Sequence, residues 1–240
     1  RCHPDSLVQV AEYVTLLGLL AATGSKIGHE IYTLMKQEFG EVEEPVPPGT
    51  VGSSTMPQKR NPKLSQDIIA AAAQIRAMVP LALEAMQTEH EADRTTSIMM
   101  NRALTQACEL TGDMLQRLLE RFAGLQVFPQ RMRQNLDLSG GLIMAEALML
   151  ELGKTIGRQR AHDAVYDAAQ GSVTQGRPFR ELLAEDAHVK ARLNVAQVER
   201  LLDPAEYTGL CQFFATRGAT QARETAAAIT QRLSGNGTTL

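Results

Sequence analysis

The strongest constraint on this chain is periodicity. Its apolar residues recur at the three-to-four-residue interval of a helix over long segments, and no stretch alternates convincingly as a half-buried strand would. Residues 5–38 carry that pattern, with Asp5 or Ser6 placed to cap the start just after Pro4. Gly18 and Gly24 sit inside it, which implies that neighbouring helices approach closely there. A second helix is predicted from Lys63 to His90, kinked at Pro80 where a backbone donor is lost. A third is predicted from Asp93 to Gly124. Ala, Leu, Met, Gln, Glu and Arg dominate, which are good helix formers. The fold class that follows is mainly α, a long-helix bundle followed by a small all-helical domain. Three long helices leave wide apolar faces uncovered, so further helices or other subunits are expected against them.

Between the first and second helices the pattern breaks over "FGEVEEPVPPGTVGSSTMPQKRNP". A loop of that length inside a compact domain is usually functional or disordered. A second change comes at "VFPQRMRQNLDLSGG", and the domain boundary is placed near residue 127. Residues 1–127 are then part of a helical-bundle domain with its loop at 45–62, and residues 128–240 form a C-terminal domain of shorter helices. The final "SGNGTTL" reads as a frayed tail.

A net charge of −3 argues against a nucleic-acid partner. No apolar run is read as approaching the roughly 18–20 residues of a membrane span, and the start is not a signal peptide. Three widely spaced cysteines, Cys2, Cys108 and Cys211, suggest a reduced, cytoplasmic setting and no zinc site. No metal and no cofactor are expected. Arg1 in place of a starting methionine suggests a fragment.

The loop run "GSSTMPQKRNP", residues 52–62, collects groups that suit an anion. Glycine permits close backbone approach, Ser53 and Ser54 offer hydroxyls, and Lys59 and Arg60 offer charge. Asn61 offers an amide, and Pro62 can open the next helix, whose free N–H groups favour a carboxylate or phosphate. It is not a P-loop, because the second glycine and the preceding strand are missing, and no GxSxG elbow is present. The plain alternative is a solvated surface loop.

The full run resembles the signature GSSxMPxKxNP of the fumarase/aspartase (fumarate lyase) superfamily, at every fixed position. "KQEFGEVEEP" and "EHE" are similar to the muconate cycloisomerase and adenylosuccinate lyase branches. "MRQNLDLSGGLIMAEAL" and "LLDPAEYTG" are most similar to the cycloisomerase branch. The resemblance covers most of the chain, as the middle and C-terminal portions of such a protein. It implies abstraction of a proton beside a carboxylate, followed by loss of a group from the next carbon, or the reverse addition. That chemistry needs a base at contact distance and positive charge where the dianion develops.

By resemblance, Ser53 is the general base, its oxyanion stabilised by loop N–H groups and Lys59. Lys59 and Asn61 correspond to the carboxylate-binding pair. Arg60 adds charge, and Ser54 is placed at the substrate, with loop structure as its plain alternative. Where several branches have a glutamate that orients the catalytic histidine, this chain has Gln66, as the cycloisomerase branch also lacks that glutamate. The Thr-His segment of the family's N-terminal region is absent, so the isolated chain is expected to be inactive.

Among the histidines, His90 is placed at a helix junction near the loop, lining the site, with a capping or surface role as the alternative. His3, His29, His162 and His188 read as surface or interface residues. The acidic run Glu41, Glu43, Glu44 reads as a solvated loop and not as paired catalytic carboxylates.

The implied function is that of a lyase or cycloisomerase acting on a small polycarboxylate, most like 3-carboxy-cis,cis-muconate cycloisomerase. An adenylosuccinate-lyase-like fumarate-releasing enzyme is the alternative, and a non-catalytic structural oligomer of the same fold is the reading from another class. The implied partners are the substrate and three further copies, in a homotetramer with shared active sites, and neither nucleic acid nor membrane.

Overall fold

The structure, a computed structural model, describes residues 4–46, 56, 60–90 and 93–235. The chain divides into two compact units, residues 1–135 and 136–240. The first is built on three long helices, α1 (Pro4–Leu34), α2 (Lys63–Glu84) and α3 (Arg94–Gly124). Each buries one stripe. On α1 the buried positions are Ala11, Val14, Leu17, Ala21 and Ile31, and on α3 they run from Thr96 through Met100, Ala103, Ala107 and Met114 to Arg121. Ile68, Ala72 and Ile75 of α2 complete the core, all fully buried.

The expected close approach is present. A Cβ at Gly18 would lie 2.8 Å from Val79 Cγ2, and one at Gly28 would lie 2.9 Å from Ile69 Cγ1. The glycines let α1 and α2 pack backbone against side chain, which offsets their cost to helix propensity.

Three element bounds differ from expectation. Helix α1 starts at Pro4, so Asp5 and Ser6 lie within the helix, and Pro occupies a position where its missing donor costs nothing. It also ends at Leu34, and the chain turns over through Gly40, whose φ of 61° suits glycine. Helix α2 runs through Pro80 and stops at Glu84, six residues short of His90.

Residues 7–34 of α1 are long and apolar enough, by length and composition, to cross a membrane, contrary to the expectation that no run approaches this. Here that helix supplies one wall of the three-helix core. Its other face exposes Val8, Leu16 and Leu19, and α3 exposes Ile98, Leu119 and Phe122, so the unit does leave the uncovered apolar faces anticipated.

After α1, the two-residue strand β1 (Val42–Glu43) pairs antiparallel with β2 (Gln126–Val127), Val42 opposite Val127. Helix α4 (Pro129–Asp137) folds back onto the turn that follows α1. Arg131 donates from Nε to Phe39 O at 2.8 Å and from Nη2 to Glu38 O at 3.0 Å, and Asn135 donates to Phe39 O and to the Glu41 carboxylate. These contacts explain why the division falls after Asn135 and not near residue 127.

The second unit contains α5 (Ala145–Ile156), α6 (Arg158–Gln175), α7 (Phe179–Glu185), α8 (Ala187–Lys190), α9 (Val195–Leu201) and α10 (Cys211–Gly235). Leu148, Leu152, Phe179, Leu183 and Val189 form its core. Side chains mark its helix starts: Asp186 caps α8, and Asn194 with Gln197 forms a capping box on α9. Helix α10 is exposed along its described length, Phe213 and Phe214 included.

Candidate functional site

The signature run leads directly into α2. A helix leaves its first four N–H groups without intrahelical partners. Pro62, the N-cap of α2, offers no side chain to take them. Pro62 has no N–H of its own, so three remain, and all three are satisfied before the first intrahelical bond, Gln66 N to Pro62 O at 3.0 Å. Lys63 N donates to Asn61 O at 2.8 Å. Leu64 N donates to Glu44 Oε2 at 3.0 Å and Ser65 N to Glu44 Oε1 at 2.8 Å. A carboxylate about 20 residues upstream therefore caps the helix.

This overturns two expectations. Glu44 is not solvated, since it is only 4% exposed. Nor is the start of α2 a free anion site, because its own chain supplies the anion. Glu43 and Glu41 are also engaged, by Arg60 at 3.0 Å and by Asn135 at 2.7 Å respectively. The acidic run reads as solvated only while its distant partners are unseen.

Behind Glu44 lies a charge that the sequence reading missed. Arg121, fully buried on α3, places Nε 3.2 Å from Glu44 Oε1. Its Nη2 donates at 3.0 Å to Ser65 Oγ, which in turn donates at 2.6 Å to Glu44 Oε1. The Nε contact is an ion pair without hydrogen-bond alignment, and Nη1 has no hydrogen-bond partner among the described residues. Burial pushes the Arg121 guanidinium below its ordinary value, while the negative charge of Glu44 beside it pushes it back up. A signal was present: Arg121 falls on the same buried stripe as Met114, two turns on, and a guanidinium on a core stripe requires a buried acceptor.

The entry to the loop is packed as closely as its exit. Pro45 lies against Gly124, where a Cβ would sit 2.6 Å from Pro45 Cβ. Two clefts open beside these residues. One, of about 250 Å³, is bordered by Met35, Pro45, Arg60, Asn61, Leu64 and Arg117. The other, of about 630 Å³, is bordered by Gln37, Glu43, Met56, Arg60 and Phe128. Arg60 stands between them, 47% exposed. Arg117 ties the rim together, with Nη1 on Asp67 and Nε on Asp113, both at 2.8 Å.

Of the sequence-predicted site residues, Arg60 and Asn61 lie together at the mouth of this first cleft. Ser53, Ser54 and Lys59 lie outside the described residues. His90 is exposed and stands beyond the other end of α2. With 22 residues, that helix is about 33 Å long, so within one chain His90 stands about a helix length from Arg60 and Asn61. Gln66 is exposed on the first turn of α2.

Comparison with known proteins accords with this organisation. Two family models match in succession: "Lyase" over residues 5–77, which spans α1, the signature run and most of α2, and "Adenylosuccinate lyase C-terminus" over residues 141–217. The chain is 40% identical over 209 residues to a 3-carboxy-cis,cis-muconate cycloisomerase of Pseudomonas aeruginosa, covering 87% of this chain and 46% of that one. It is 39% identical over 201 residues to an N-acetyl-S-(2-succino)cysteine lyase of Enterococcus italicus, covering 84% and 44%. The chain thus spans less than half the length of these relatives. The crystal structure of 3-carboxy-cis,cis-muconate lactonizing enzyme from Pseudomonas putida matches over 90% of this chain and 48% of that one, with a TM-score of 0.83 and 36% identity. The order of the two matched models, the intact signature run and the shared helical fold lead to one conclusion: this chain belongs to the fumarate lyase superfamily.

Proposed function

We propose that this chain is part of a lyase or cycloisomerase that acts on a small polycarboxylate, most like 3-carboxy-cis,cis-muconate cycloisomerase. The observation that carries the reading is the unbroken run from Gly52 to Pro62, which keeps Ser53, Lys59 and Asn61 together. A scaffold has no physical need for that combination. Ser53 removes the proton beside a substrate carboxylate, and Lys59 holds the charge that develops. Because Glu44 occupies the amides of Leu64 and Ser65, the substrate carboxylate falls to side chains, namely Lys59, Asn61 and the partly shared Arg60. Ser54 completes that contact set.

His90 joins such a site only if it comes from another copy, since one chain holds it a full helix length away. The uncovered apolar faces of α1 and α3 supply surfaces for that assembly. A homotetramer with shared sites accommodates both observations.

The second reading is fumarate release from an adenylosuccinate-like or succino-thioether substrate. It is favoured by the match to the adenylosuccinate lyase C-terminal model and by the relative named for succinocysteine. The longest reading frame carrying this chain, expressed and assayed with 3-carboxymuconate, adenylosuccinate and N-acetyl-S-(2-succino)cysteine, separates the two. Lactone formation supports the first reading and fumarate release the second. Inertness to all three, in an intact assembly, overturns both.

A further inference from the structure

The loop that carries the proposed chemistry is anchored by a group which that chemistry does not use. We propose that Glu44 is a positioning residue: its carboxylate, seated on the α2 amides and paired with Arg121, fixes where the signature run joins the helix and so where Arg60 and Asn61 stand. The relevance to catalysis rests on the function proposed above, whereas the anchor itself does not.

Four contacts converge on one carboxylate. Leu64 N and Ser65 N bind one oxygen each, Ser65 Oγ adds a third bond, and Arg121 adds charge at 3.2 Å. With the carboxylate itself they join three separate parts of unit 1: the residue just after β1, the start of α2 and the end of α3. Residues 44 and 65 bracket the signature run, so Glu44 closes the loop at its base. Neighbouring contacts hold Glu44 in turn. Val42 and Glu43 pair with β2, Phe128 N donates to Glu41 O at 2.9 Å, and Pro45 fills the space above Gly124. A buried ion pair adds little net stability compared with apolar residues, but it demands one geometry. Arg60 lies five residues before Ser65, bonded to Glu43, the neighbour of Glu44. Any shift of the base therefore displaces Arg60 with it.

The test is anion rescue. Glu44→Ala removes the CH2–COO⁻ that acetate replaces, so acetate is the probe. Amide hydrogen exchange is followed at Arg60, Asn61, Leu64 and Ser65, with Ile68–Ile75 of α2 as the internal reference. In Glu44→Ala the first set is expected to exchange at least about tenfold faster, the consequence of losing a charge-assisted hydrogen bond. Acetate should restore protection while chloride at equal ionic strength does not, and the reference amides should accelerate only as far as the variant's loss of global stability requires. If Glu44→Ala does not fold, Glu44→Gln combined with Arg121→Met removes both buried charges together, and the same four amides should lose protection in a folded chain. The proposal is overturned if the four amides keep wild-type protection in either folded variant. It is also overturned if the four amides accelerate no more than that global loss requires, or if acetate and chloride act alike. No substrate enters this experiment, so its failure leaves the proposed reaction standing, and failure of the reaction assays leaves the anchor standing.

Discussion

Glu44 and Arg121 form an ion pair inside the first unit, with side chains 4% and 0% exposed and Ser65 bridging them. Breaking a buried pair from one side leaves a lone charge in the interior. Arg121→Ala or Glu44→Ala is therefore expected to lower stability by about 3–5 kcal/mol each. Replacing both with apolar residues should cost much less than the sum of the two, because no lone charge remains. A double-mutant cycle in urea, read with a probe inside residues 4–135, measures this. Additive losses would show that the two groups do not depend on each other.

Gly124 and Gly18 are among the glycines whose close contacts a methyl group would violate. Gly124→Ala forces Pro45 off the end of α3, where no flexible side chain can yield. A loss of about 1–3 kcal/mol is expected, detectable as a lower urea midpoint. Gly18→Ala meets only the terminal methyl of Val79, so its cost should be smaller. Gly112, with nothing near its Cβ position, serves as a control, and Gly112→Ala should be neutral or stabilising.

The second unit carries a surface staple with a pH signature. Arg177 grips Glu185 with two nitrogens, at 2.6 and 3.0 Å, and holds its carboxyl below the usual glutamate range, mainly through that hydrogen bonding. A depressed carboxyl pKa contributes stability above the unfolded value and loses it as pH falls through the folded value. NMR titration of Glu185 should give a midpoint below that of an ordinary glutamate, and Arg177→Ala should return it to normal. Both groups are exposed, so added salt should narrow the difference.

Arg60 shares its charge with Glu43, whereas Lys59 is assigned by resemblance to the substrate alone. In the active assembly, Arg60→Ala is expected to raise KM with a modest effect on kcat. Lys59→Ala should lower kcat itself, since its charge is required where the dianion forms. Steady-state kinetics distinguish them, and a reversed pattern would reassign the two cations.

Local physics made most of the helical fold legible. The stripe from Met100 to Met114 predicts α3 and its buried face, and Asp93 caps the helix by accepting from Thr95 N. The ends of α1 and α2 were less legible because tertiary contacts set them: Arg131 and Asn135, more than 90 residues away, hold the turn that replaces the last turn of α1. The site divides along the same line. Arg60 and Asn61 were found by motif and lie at one cleft mouth. Glu44 was misread because its partners are 20 and 77 positions downstream, beyond any local pattern. His90 was misplaced because adjacency to the end of α2 does not imply adjacency to its start.

In the proposed function, the signature run performs carbon-acid chemistry with Ser53 as the base. The most direct measurement is turnover by Ser53→Ala in the longest reading frame that carries this chain, with far-ultraviolet circular dichroism and assembly state recorded on the same sample. A loss of about 10²–10⁴-fold in kcat or more is expected, with helicity and assembly unchanged. Full activity in a folded, assembled Ser53→Ala protein would contradict it.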